Sequence, residues 1–294
     1  MTLRREPQEP DDGARATFRT IAVLTLIPVA AFAIYFVWSR FSPPAPPHTA
    51  QTAPPTSHPS PQLSTIEQSA LPRVHASHPR IVLIIDDLGF EGQPLDRVMS
   101  LDPNVNCAIL PNADRAAEFA EKLNARGYEI LCHLPMEPQG HETPGRNAIL
   151  TSMSDDEITR ATRENIDRIP HARGMNNHMG SRATTDRRVM ESVLRALPHG
   201  MYFIDSRTIG NSVAAEVAHE MKVRTAARNV FLDDDERESA VRKQLAELAA
   251  TAERNGFAIG IGHPHPATMR VLAEELPELR ARGFRFVRAS EAVR

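Results

Sequence analysis

From Arg80 to Arg294 the chain alternates short β-rich apolar runs with stretches of helical periodicity. No other feature limits the fold as much. The β-rich runs lie at 81–85, 105–109, 129–133, 173–176 (weak), 201–205, 223–226, 257–261 and 284–287. Helical patterns fall at 115–126, 155–168, 187–197, 213–221, 236–255 and 268–282. Asp114, Ser154 and Thr185 or Asp186 are placed to cap helix N-termini. Gly127, Gly200, Gly256 and Gly283 each follow a helical pattern and precede a strand, where a C-terminal glycine cap belongs. Strands alternating with helices at roughly 24–28 residues per unit imply βα units on a parallel sheet. Eight such units suggest a closed or nearly closed barrel, with a doubly wound open sheet as the alternative.

Upstream, residues 21–38 read IAVLTLIPVAAFAIYFVW without a charge. Eighteen residues at about 1.5 Å rise span roughly 27 Å, close to the bilayer core. Arg4, Arg5, Arg15 and Arg19 precede the segment and only Arg40 follows closely. The positive-inside rule then places residues 1–20 in the cytoplasm and the rest of the chain in the periplasm or outside the cell. Ala31-Phe32-Ala33 has the small-x-small form of a signal-peptide cleavage site. The apolar run continues through Val37, which favours an uncleaved single-pass anchor. Residues 39–79 form a linker. Ser42 to Pro79 holds ten of the chain's 24 prolines, a composition that cannot offset its ordering entropy by burial. Fully extended it reaches about 120 Å.

Net charge is -3 and aromatics make up 5%. Neither a basic field nor a base-stacking platform is available, which excludes nucleic acid as a partner. Cys107 and Cys132 fit no zinc finger, and both fall in apolar runs. They read as buried thiols, with a disulfide as the alternative.

The polar residues fall at the C-terminal ends of the apolar runs. Asp86-Asp87 follows the first, and His133 closes the third with Glu137 four residues on. Asn176-Asn177-His178 belongs to the fourth, Asp205 ends the fifth, and Gly262-His263 ends the run at 257–261. A parallel barrel gathers these ends on one face, where its chemistry resides. Adjacent carboxylates after a buried strand repel unless a cation or donors offset them. Imidazole with carboxylate suits zinc, and Glu137 is either a ligand or its supporting partner. Asp205 is equally well read as the structural partner of Arg207 or Arg182. His263 is placed for acid–base work.

Six stretches carry a family resemblance: IVLIIDDLGF (81–90), YEILCHLPMEP (128–138), GMNNHMGSRAT (174–184), YFIDSRT (202–208), RNVFLDD (228–234) and AIGIGHPHPAT (258–268). The region 80–294 resembles the divergent polysaccharide deacetylases, remote relatives of the carbohydrate esterases that remove N-acetyl groups from polysaccharides. The resemblance implies a distorted (β/α) barrel and a divalent metal, usually zinc. It implies Asp86 as general base, Asp87 and His133 as metal ligands, and His263 as general acid oriented by Asp205. Typical members supply a second histidine four residues after the first, where this chain has Glu137. Either Glu137 or His178 is the third ligand, and His178 is favoured because its loop otherwise lacks a purpose. The typical Arg-x-Pro-Tyr motif has no clear counterpart, with Arg182 a weak candidate. The implied activity is deacetylation of an envelope or extracellular glycan. The alternative is a catalytically silent glycan-binding or scaffold protein that keeps the fold.

Overall fold

The computed structural model describes residues 78–294. The expected cytoplasmic N-terminus, the anchor at 21–38 and all but the end of the linker at 39–79 lie outside the described residues. Among the described residues no helix is long and apolar enough to cross a membrane.

The elements run β1 (Arg80–Leu88), α1 (Leu95–Val98), β2 (Asn106–Ile109), α2 (Ala116–Ala125), β3 (Glu129–Met136), α3 (Asp155–Asp167), β4 (Ala172–Met179), α4 (Arg187–Arg195), β5 (Tyr202–Asp205), α5 (Ala214–Glu220), β6 (Thr225–Ala227), β7 (Val230–Phe231), α6 (Glu238–Asn255), β8 (Phe257–Gly262), α7 (Pro266–Ala281) and β9 (Arg285–Phe286). Every expected strand and helix is present, with shifted ends. The weak run near 173 is a full eight-residue strand, and β7 is a two-residue strand that the list of β-rich runs did not include. Ser154 caps α3 in a reciprocal capping box with Glu157. Asp186 caps α4 through the amide of Val189. Asp114 caps nothing: its carboxylate accepts from the amide of Glu91 instead, and α2 starts without a side-chain cap.

All strand pairs are parallel, in the order β6-β5-β4-β3-β2-β1-β8-β7, with β9 beside the start of β1. The sheet is a curled half-barrel of the deacetylase type, because its end strands β6 and β7 do not pair with each other, and not the closed barrel that eight units suggest. The two ends of the curled sheet belong to one segment of chain. β6 pairs with β5, then Arg228 N donates to Asp205 O and Asn229 N donates to Ile259 O, and β7 continues along β8.

Side chains alternate across a strand. One set packs inside the curl: Val82 and Ile84, Ala108, Leu131, Tyr202 and Ile204, Ile259 and Ile261. The other set, with Ile81, Leu83, Ile85, Cys107, Ile130, Cys132 and Phe203, packs under the helices. Both faces are buried, as a parallel sheet requires. Cys107 and Cys132 are free, buried thiols, so the disulfide alternative fails. The chain's last residues close the floor of the curl, where Ala289, Ala292 and Val293 join the inner cluster. Glu129 holds this segment down by accepting from Tyr202 Oη (2.7 Å) and Ser290 N (2.8 Å).

Candidate metal centre

The inward phase of each strand continues past the apolar layer into polar residues. In β1 it runs Val82, Ile84, Asp86; in β3, Leu131, His133; in β4, Gly174, Asn176, His178; in β8, Ile259, Ile261 and then His263. The hydrophobic ring thus carries a polar layer at its C-terminal end, as the barrel argument requires.

Alternation by itself would turn Asp87 away from this layer. Asp87 instead has φ 58°, and the β1–β2 register shifts between Ile85 and Leu88. This is a bulge, which re-aims a side chain at a strand end. Both carboxylates of the pair consequently face the ring.

Asp87 Oδ1 lies 2.9 Å from His178 Nδ1 and 3.2 Å from His133 Nε2. The two imidazole nitrogens are 3.3 Å apart. A tetrahedral cation with ligands at roughly 2.0–2.1 Å would hold its donors about 3.3–3.4 Å apart. Asp87 Oδ1 is buried and, although close to both imidazole nitrogens, makes no well-aligned hydrogen bond with either, a cost that a cation removes. The three donors therefore suit a divalent metal. Burial pushes the Asp87 carboxyl up, but the imidazoles of His133 and His178 outweigh it and hold the group far below the usual carboxylate range. His133 is buried against its charge, yet Asp86 and Asp87 raise its pKa. A metal ion binding there displaces that proton.

Asp86 is 2% exposed. Burial raises its pKa despite the opposing pull of His133 and His263. Its oxygens accept from Asn176 Nδ2 at 2.9 and 3.1 Å. Across the site, His263 Nε2 stands 3.9 Å from Asp87 Oδ2. The other ring nitrogen, Nδ1, lies 2.9 Å from Asp233 Oδ1, and Asp233 Oδ2 accepts from His263 N and Thr268 Oγ1. Phe231 stacks on the His263 ring at 5.6 Å. Burial works against a charged His263, but the bond to Asp233 and its charge prevail and lift the imidazole to about 9.

Two expectations need correcting. Asp205 is not the carboxylate that orients His263. It ends β5 one residue out of the inward phase, and its oxygens accept from Arg207 N and Ser212 Oγ. Asp233, at the end of the unforeseen strand β7, holds that place. Its signal in the sequence was the apolar Val230-Phe231-Leu232 run closed by acidic residues. Glu137 is not the third ligand either. Its carboxylate accepts from Thr151 N and Oγ1 and lies 3.5 Å from Arg182 Nε. Arg182 pairs there and not with Asp205. Asp233, His263 and His265 form a second grouping with metal-like spacing. The oxygens of Asp233 are already committed to His263 and Thr268, which makes it an orienting pair and not a ligand set.

A family model described as divergent polysaccharide deacetylase matches residues 83–293. The chain is 40% identical over 196 residues to the uncharacterized protein YibQ of Escherichia coli, covering 66% of this chain and 61% of that protein's length. It is 34% identical over 201 residues to an uncharacterized protein of Haemophilus influenzae, covering 68% of this chain and 72% of that one. The fold is similar to the crystal structure of an uncharacterized protein from Agrobacterium tumefaciens, with TM-score 0.71 and 22% identity, covering 74% and 89% of the two chains. The family match spans the curled sheet and every strand-end residue described above, and the chain belongs to the divergent polysaccharide deacetylase family.

Proposed function

We propose that the protein is a metal-dependent hydrolase that removes N-acetyl groups from an envelope or extracellular glycan. One observation carries this reading. A three-donor set of Asp87, His133 and His178 faces a second carboxylate outside the set, Asp86, on one side and an imidazole whose proton is held to about pH 9, His263, on the other. Hydrolysis of an amide needs a group that takes a proton from water and a group that gives one to the leaving nitrogen.

A divalent cation held by Asp87, His133 and His178, zinc by its ligand preferences, would polarise the acetamide carbonyl and make a bound water more acidic. Asp86 accepts the proton of the attacking water. Its burial keeps it a better base than an exposed carboxylate. His263 delivers a proton to the amine, and Asp233 fixes both the orientation and the charge of that ring. Acetate and a free amino sugar leave.

The rim supports a glycan substrate. Phe90 and Leu150 are the exposed large hydrophobic residues among the described residues. They sit in the loops after β1 and β3, on the same end as the site, where a sugar ring can lie on them. Residues 21–38 fit the role of an anchor that holds the domain outside the cytoplasm. Accessibility of the domain to protease in spheroplasts tests this, and a mature protein beginning near Ile34 would overturn the anchor.

Acetate release from N-acetylated glycan oligomers by the zinc-loaded full-length chain tests the activity. Asp86→Asn and His263→Ala should each lower it by about 10²-fold or more. Undiminished release by either variant would remove that residue from the chemistry. Zinc bound without acetate release from any such glycan would favour the silent glycan-binding alternative.

A further inference from the structure

Asn176 lies between the two halves of the site and belongs to neither the ligand set nor the proton-transfer pair. It is fully buried on β4, on the inward phase between Gly174 and His178. Its Oδ1 is 2.9 Å from His133 Nδ1, while its Nδ2 is 2.9 and 3.1 Å from the two oxygens of Asp86 and 3.3 Å from Ser206 Oγ.

The two ends of this amide are not equivalent. The nitrogen can only donate and the oxygen can only accept. Asp86 presents two acceptor oxygens, so the Nδ2 end turns towards it. That leaves Oδ1 against His133, which fixes the proton of that ring on Nδ1. The Nε2 lone pair then points at Asp87 Oδ1 and His178 Nδ1, the donors that would hold a cation. Because β4 pairs with β3 at His133↔Asn176, the contact is set by strand register and not by a mobile loop.

We infer that Asn176 is a positioning residue that ties the metal ligand His133 to the base Asp86, so that a single side chain sets the imidazole tautomer for the metal and the aim of the carboxylate. The inference rests on the metal and base assignments proposed above. It adds a hydrogen-bonded link beside the direct approach of His133 Nε2 to Asp86 Oδ2 at 3.5 Å.

Two substitutions separate the two jobs of the amide. Asn176→Ala removes both contacts. Asn176→Asp keeps the shape and the acceptor facing His133 Nδ1, but replaces the donor facing Asp86 with a like charge. Zinc affinity of the full-length chain, measured by chelator competition, should fall about 10–100-fold in Asn176→Ala. In Asn176→Asp it should stay within about threefold of wild type, while acetate release falls at least as far as it does in Asn176→Ala. Wild-type zinc affinity in a folded Asn176→Ala protein would overturn the inference, and so would wild-type acetate release by Asn176→Asp. If neither variant folds, nitrogen NMR of the zinc-loaded wild type decides. His133 should show a metal-bound Nε2 and a protonated Nδ1, and the reverse assignment would overturn the inference. If the wild type releases no acetate, the activity reading fails, but the zinc-affinity and tautomer results still judge Asn176.

Discussion

His263 holds its proton at a pH where a free imidazole has lost it, and Asp233 is the reason. In the metal-free protein the ring should titrate at about 9 by NMR, against an ordinary value of 6.5. Because the folded value lies above the unfolded one, the pair stabilises the fold fully below about 6.5, and this contribution fades as pH rises through about 9. Asp233→Asn should return the titration towards its ordinary range and lower acetate release by about 10²-fold. Zinc should lower it too, since a cation at Asp87 disfavours a second positive charge nearby. An unchanged His263 titration in Asp233→Asn would remove Asp233 as its orienting carboxylate. Asp205 supplies the contrast. Asp205→Asn leaves a turn acceptor in place, so it should cost about 1 kcal/mol of stability and leave acetate release within about tenfold of wild type. A larger catalytic loss would return Asp205 to the site.

At the scale of elements, the site exists because strand ends are trimmed to individual positions. The bulge at Asp87 turns two adjacent carboxylates to one side. Met179, the last residue of β4, and Arg207, two residues past the end of β5, likewise have left-handed backbone, with φ 51° and 46°. Below the polar layer the fit is close. A Cβ on Gly174 would meet the Tyr202 ring at 2.3 Å, and one on Gly260 would meet Leu248 at 2.4 Å. Gly174→Ala therefore forces Tyr202 off Glu129 or pushes β4 outwards. Either should cost about 1–3 kcal/mol in urea unfolding. Ser154→Ala, which removes half of the capping box on α3, should cost about 1 kcal/mol and leave zinc binding unchanged. Loss of zinc binding in Ser154→Ala would mean that the site depends on the cap of α3.

At the scale of the whole molecule, the two thiols report on the core. Burial raises the pKa of both Cys107 and Cys132 far above that of a free thiol, so a thiol reagent should find none in the folded domain and two after unfolding. Rapid reaction without denaturant would mean that the layer under the helices opens readily. The same layer shows how the fold could be read in advance. Runs such as Ile81–Ile85 are apolar at every position, which only a strand covered on both faces can satisfy. The glycine and capping signals then bound the helices between them. The sequence by itself therefore determined a parallel strand–helix domain with its polar residues at the strand ends, because hydrophobic period and capping chemistry are local. It could not determine which of those residues meet. A strand shows its side chains with period two, so one residue of phase, or one bulge, decides whether a carboxylate faces the ring or the helices. Phase turned Asp205 away, the bulge brought Asp87 in, and a strand of only two residues, too short to show a period, delivered Asp233. Register between β3 and β4 set His133 beside Asn176 and left Glu137 to Thr151. Such choices depend on pairing between residues far apart in the chain, and only the tertiary structure makes them.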